Sequence, residues 1–95
     1  MGEKTLASSV LKRVNPPLGA AGYMKRYFSK QNISANQAAK LLGVSQPTVT
    51  RFINGGSLTP KMAAKIEMQF GIGVETLFNL EAQVNVYQAN LLKSA

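Results

Sequence analysis

Gln46, Thr48, Thr50 and Arg51 gather four hydrogen-bonding side chains into one short stretch, and no other part of the chain is as well equipped for chemistry. That chemistry is recognition and not bond making. A guanidinium can donate two parallel hydrogen bonds to guanine O6 and N7 or to a phosphate, and a carboxamide can do the equivalent for adenine. Groups suited to catalysis are scarce: the chain has no histidine and no cysteine, and its four carboxylates (Glu3, Glu67, Glu75, Glu81) are scattered. Without the commonest general base, metal ligand and thiolate nucleophile, the composition argues against an enzyme. It supplies no catalytic residue, metal site or cofactor site.

The elements that would position the four polar residues are legible on either side of them. Val49, Phe52 and Ile53 form an apolar stripe, so a helix opening after a Ser45 cap, with Pro47 tolerated in its first turn, carries the polar residues off that stripe. Upstream, Ser34 followed three residues later by Gln37 is a capping box. The helix it opens buries Ala38, Ala39 and Leu42 and ends at Gly43, which is suited to a left-handed cap. Two short helices joined by so tight a turn, with small Ala39 where they approach, make the pattern of a helix-turn-helix. In that motif the second helix lies in the DNA major groove.

The rest of the chain supports this unit. Asn15-Pro16-Pro17 breaks whatever precedes it, so the reading divides the chain into a flexible segment over 1–15 and a domain over 16–95. Helix 1 is expected over about 18–31, with Ala20, Ala21, Met24, Tyr27 and Phe28 inward and Lys25, Arg26, Ser29 and Lys30 outward. Ile33 is read as the hydrophobic staple before Ser34, and the Asn32-Ile33-Ser34 sequon is discounted. Asn54-Gly55-Gly56 makes a turn and Leu58 anchors it. Thr59-Pro60 then opens helix 4, with Met62, Ala63, Ile66 and Phe70 inward, and Gly71 and Gly73 end it. A fifth helix from about Val74 bears two apolar stripes: Val74, Leu77, Leu80, Val84, Tyr87 and Leu91, and beside them Phe78, Ala82, Val86 and Ala89. Its first turns can pack on the domain. Its distal half has no core left to join, so Val84, Tyr87 and Leu91 are expected at a homodimer interface.

Charge is divided along the chain. Residues 1–65 hold ten basic side chains and one acidic, whereas 66–95 hold one basic and three acidic. A basic front with a faintly acidic back suits a domain that faces nucleic acid and keeps its tail for protein. No apolar run approaches the roughly 18 residues of a membrane span, and the reading is of a cytoplasmic protein with no membrane partner.

Three stretches carry a narrower resemblance: Gly43 to Gly55 across the recognition segment, Leu58 to Ala63 at the entry of helix 4, and Leu77 to Ala82 in helix 5. In order and spacing, the run from Ile33 to Leu80 resembles the lambda-repressor-like (XRE) helix-turn-helix proteins, and within them the HigA-type antitoxins of toxin–antitoxin modules. The resemblance implies an all-α, five-helix fold whose helices 2 and 3 form the helix-turn-helix. It further implies a cognate toxin that is a ribosome-dependent mRNA endonuclease, while the homodimer expected from helix 5 requires, by its two-fold symmetry, a palindromic operator in double-stranded DNA.

Ser45, Gln46, Pro47, Thr48, Thr50, Arg51 and Asn54 of helix 3, with Asn36 and Gln37 of helix 2, are the expected DNA-binding residues. Leu6, Val10, Leu11 and Val14 are the expected toxin-binding residues, as an apolar stripe with no core of its own. Ala35 stands where many of the repressors have a Gln that braces the first recognition residue, which shifts weight to Asn36 and Gln37, and Gln46 stands where the antitoxins commonly have Arg, so the operator sequence does not carry over. A free-standing Cro-like regulator without a toxin is the alternative. A protein-only adaptor working through helix 5 is the reading from another class.

Overall fold

Hydroxyl caps start three of the helices. Ser34 accepts from the Gln37 amide at 3.1 Å while the Gln37 carboxamide accepts from the Ser34 amide at 2.9 Å. Ser45 accepts from the Thr48 amide at 3.3 Å, and Thr59 from the Met62 amide at 3.1 Å. Each satisfies an amide that the first helical turn leaves unpaired. The computed structural model describes residues 16–94, and over them these caps help to set five helices with no strand. They are α1 (Gly19–Lys30), α2 (Ala35–Leu42), α3 (Gln46–Ile53), α4 (Pro60–Phe70) and α5 (Val74–Ser94).

The stops follow from backbone conformation. Gly43 ends α2 at φ 70°, where a Cβ would be strained, and its amide returns to the carbonyls of α2. Asn32, with φ 57°, serves the same purpose after α1, and the following Ile33 amide bonds back to the Phe28 carbonyl at 2.8 Å. Asparagine is among the few other residues that enter this region readily. Ile33 itself packs against the core, as a staple residue should.

One core joins all five helices. Met24, Val49, Ile66 and Leu77 are its largest fully enclosed side chains, one each from α1, α3, α4 and α5. Burial of such a side chain contributes about 1.5–3 kcal/mol. Ala38 and Ala39 of α2, Ala20 and Ala21 of α1, and Ala63 of α4 add small buried side chains to it. Tyr27, Phe28 and Phe70 meet edge to face, with ring centroids 5.5–6.1 Å apart, and tie α1 to α4.

Helix α5 divides as expected, but further along its length than its first turns. It packs along α1, and Glu81, Val84, Asn85 and Gln88 share a small cleft with Leu18, Gly19 and Ala21. Val84, expected at a dimer surface, is therefore held against Gly19 of its own chain. Tyr87 is half-buried, while Leu91 and Leu92 are 51% and 77% exposed and Val86 59%.

Candidate nucleic-acid interface

The helix-turn-helix is built from α2 and α3 as the sequence implies. Ala38, Ala39 and Leu42 of α2 are buried together with Val49 and Phe52 of α3, and the Val44 amide reaches back to the Ala39 carbonyl at 3.0 Å. Because Val49, Phe52 and Ile53 of α3 are turned toward this core, its outer surface is polar apart from Pro47.

Gln46, Pro47, Arg51 and Asn54 are exposed and Thr50 is half-buried. Positions 46, 50 and 54 are each four apart, as are 47 and 51, so these five form one continuous face. Arg51 carries the only charge on α3. Thr48 belongs elsewhere. It is half-buried, its hydroxyl lies 2.7 Å from Ser45 Oγ, and it turns toward α4. Ser45 and Thr48 thus form the hydrogen-bonded start of α3, and the other five residues form the outward polar face of that helix.

Asn36 and Gln37 are exposed on the first turn of α2. The carboxamide oxygen of Gln37 is engaged by the Ser34 amide, which leaves its NH2 group as the part able to donate to a phosphate. Lys40, on the same helix, is exposed one turn further along.

A groove of about 360 Å³ runs between the α2–α3 turn and α4, lined by Gly43, Val44, Ser45, Thr48, Thr59, Lys61, Met62 and Lys65. The starts of α3 and α4 both border it, and Lys61 and Lys65 add charge along one side. The sequence reading passed over these two lysines, although their spacing of four on a helix opened by Thr59-Pro60 already places them on one face beside the turn. No carboxylate occurs between Glu3 and Glu67, so this basic surface has no acidic neighbour along that length of chain.

The geometry defines a helix-turn-helix with a polar second helix, and comparison with known proteins agrees. The family described as Helix-turn-helix matches residues 24–77, from the middle of α1 into α5 and over more than half of the chain. The protein belongs to this XRE-type family of DNA-binding domains. No curated protein and no solved structure matches the chain. Among the described residues no helix is long and apolar enough to cross a membrane, and no group of three potential metal ligands occurs. Leu6, Val10, Leu11 and Val14 lie outside the described residues.

Proposed function

We propose that the protein is a sequence-specific transcriptional repressor, that it binds a palindromic operator as a homodimer, and that it is the antitoxin of a toxin–antitoxin operon it represses. The observation that carries the DNA-reading part is the continuous outward face of Gln46, Pro47, Thr50, Arg51 and Asn54 on a helix whose opposite side packs on the core. Two copies would place two such helices about 34–36 Å apart, one turn of the duplex. The exposed end of α5, with Val86, Leu91 and Leu92, is the surface available for pairing two copies. Tyr87 borders it.

Support for the antitoxin reading comes from the three stretches of resemblance in the recognition segment, the start of α4 and α5. A toxin that acts on ribosome-bound RNA would itself be basic, so the basic front is an unsuitable dock for it. Two carboxylates of the acidic back are engaged in the fold: Glu67 accepts from the Val74 amide at 3.4 Å and Glu81 from the Leu58 amide at 3.1 Å. This favours the N-terminal stripe of Leu6, Val10, Leu11 and Val14 as the toxin contact. A free-standing regulator would share the entire DNA face and lack only the toxin.

One experiment separates these readings. The full chain and a chain lacking residues 1–14 are each co-expressed with the product of any short reading frame beside the gene, and operator binding and co-purification are measured. Retained DNA binding with lost co-purification is the expected result. DNA binding with no co-purifying neighbour, even for the full chain, leaves the free-standing regulator. No DNA binding by the full chain defeats both.

A further inference from the structure

Glu81 lies on α5, away from the polar face of α3, yet one carboxylate oxygen reaches across to accept from the Leu58 amide at 3.1 Å in a half-buried setting. Leu58 belongs to the segment that follows the recognition helix, and its side chain is buried in the core. That segment is short and closely tied. The Asn54 amide bonds to the Thr50 carbonyl at 3.2 Å and the Gly55 amide to the Phe52 carbonyl at 3.1 Å. The Gly56 amide is shared between the Arg51 and Phe52 carbonyls at 3.0 and 3.1 Å. Gly56 sits so tightly on this turn that a Cβ would stand 2.8 Å from the Arg51 carbonyl oxygen. Hydrogen bonds thus tie Gly56 to the last turn of α3 and Leu58 to Glu81 on α5, and the chain itself, through Ser57, joins the two anchored points.

Charge alone makes this placement unfavourable for DNA binding. A carboxylate lowers the positive potential that attracts phosphate, and a neutral acceptor at this position would not. The benefit has to come from where the carboxylate reaches. A half-buried amide without an acceptor is costly, and a segment free to move would let the last turn of α3, with Arg51 and Asn54, move as well.

We propose that Glu81 is a positioning residue for DNA reading: its bond to the Leu58 amide holds the α3–α4 segment, and through it the last turn of the recognition helix, in the arrangement that binds the operator. The inference rests on the DNA-reading function proposed above and adds to it a residue outside the contact face.

Three substitutions separate position from charge. Glu81→Gln keeps an acceptor of the same reach and removes the charge. Glu81→Asp keeps the charge and withdraws the acceptor by one methylene. Glu81→Ala removes both. The probe is the duplex that the wild-type protein enriches from a random pool, with affinities measured at fixed salt and with the amide exchange of Leu58 followed in each protein. Glu81→Gln should bind at least as tightly as wild type and keep Leu58 protected. Glu81→Asp and Glu81→Ala should lose about tenfold in affinity relative to Glu81→Gln and expose the Leu58 amide, consistent with loss of one hydrogen bond to a half-buried amide. Should Glu81→Ala unfold, the aspartate variant still decides the matter.

An order that follows charge, with Glu81→Gln and Glu81→Ala alike and Glu81→Asp equal to wild type, overturns the inference and leaves the DNA-reading function standing. Failure of wild type to enrich any duplex overturns that function and this inference together.

Discussion

Gly19 and Val84 meet where α1 begins against the middle of α5, and the approach is so close that a Cβ on Gly19 would stand 2.6 Å from Val84 Cγ2. Gly19 also holds φ at 72°, so it is required there both for its backbone and for its lack of a side chain. The contact joins two elements far apart in the chain, seven residues beyond Leu77, which α5 buries in the core.

Gly19→Ala should therefore destabilise the domain by about 2–4 kcal/mol, combining left-handed strain with an overpacked contact. Removing the methyl groups it meets should recover part of this loss. In urea denaturation the double variant with Val84→Ala is expected to be less destabilised than the sum of the two single variants. Strict additivity would show that the two residues do not press on one another.

Replacement of Arg51 or Gln46 by alanine should leave the fold intact, since both side chains are exposed, and should weaken operator binding by about 1–3 kcal/mol for each residue that contacts a base. Binding to random duplex should change less. Arg51→Ala should also lower the slope of affinity against salt concentration if its guanidinium meets a phosphate. Competition assays at several salt concentrations report both quantities, and parental behaviour in both variants would remove α3 from the interface.

Thr48 gives the contrasting case. Ser45→Ala should cost about 1 kcal/mol of stability, because the Thr48 amide loses its acceptor. Thr48→Val removes only the hydroxyl that meets Ser45, so it should alter operator affinity far less than Gln46→Ala. A large, base-specific loss from Thr48→Val would place this residue among the base contacts.

The parts of the architecture that depend on neighbouring residues could be read from the sequence. Ser34 with Gln37, Gly43, Ser45 and Thr59-Pro60 each act within a single helical turn, and each stands where the reading put it. The five residues of the α3 face are among the expected DNA-binding residues, together with Ser45 and Thr48. Helical periodicity places that residue off the apolar stripe and does not reveal that its hydroxyl turns to Ser45. Contacts between distant segments left no such local pattern. Gly19 reads as a weakness at the start of a helix until Val84 is seen beside it, and Glu81 as one of a few back-face charges until the Leu58 amide is seen to need it. Lys61 and Lys65 were visible as a pair, but the groove that makes them neighbours of the α2–α3 turn is tertiary.

Solution mass should be that of a dimer, with the exposed end of α5 as its seam. Leu91→Ser with Leu92→Ser should yield monomers at concentrations of about tens of micromolar, where weak homodimers still form, without loss of helical signal from the core. Sedimentation of both proteins is the measurement. An unchanged dimer would move the seam off the end of α5, and a wild-type monomer would remove the dimer altogether.

The uneven cover along α5 also bears on how the protein is broken down. Its first half is fastened by Leu77, Glu81 and Val84, whereas Val86, Leu91 and Leu92 meet solvent, so in an unpaired copy the end of this helix opens without disturbing the core. Between Lys65 and Lys93 there is no lysine or arginine, so trypsin-like enzymes find no cleavage site along most of α5, while enzymes that cut beside large apolar residues find Leu91 and Leu92 in the open. Pairing at this end would hide those residues. The lifetime of the protein in a cell would then depend on its concentration, with solitary copies trimmed first and paired copies spared.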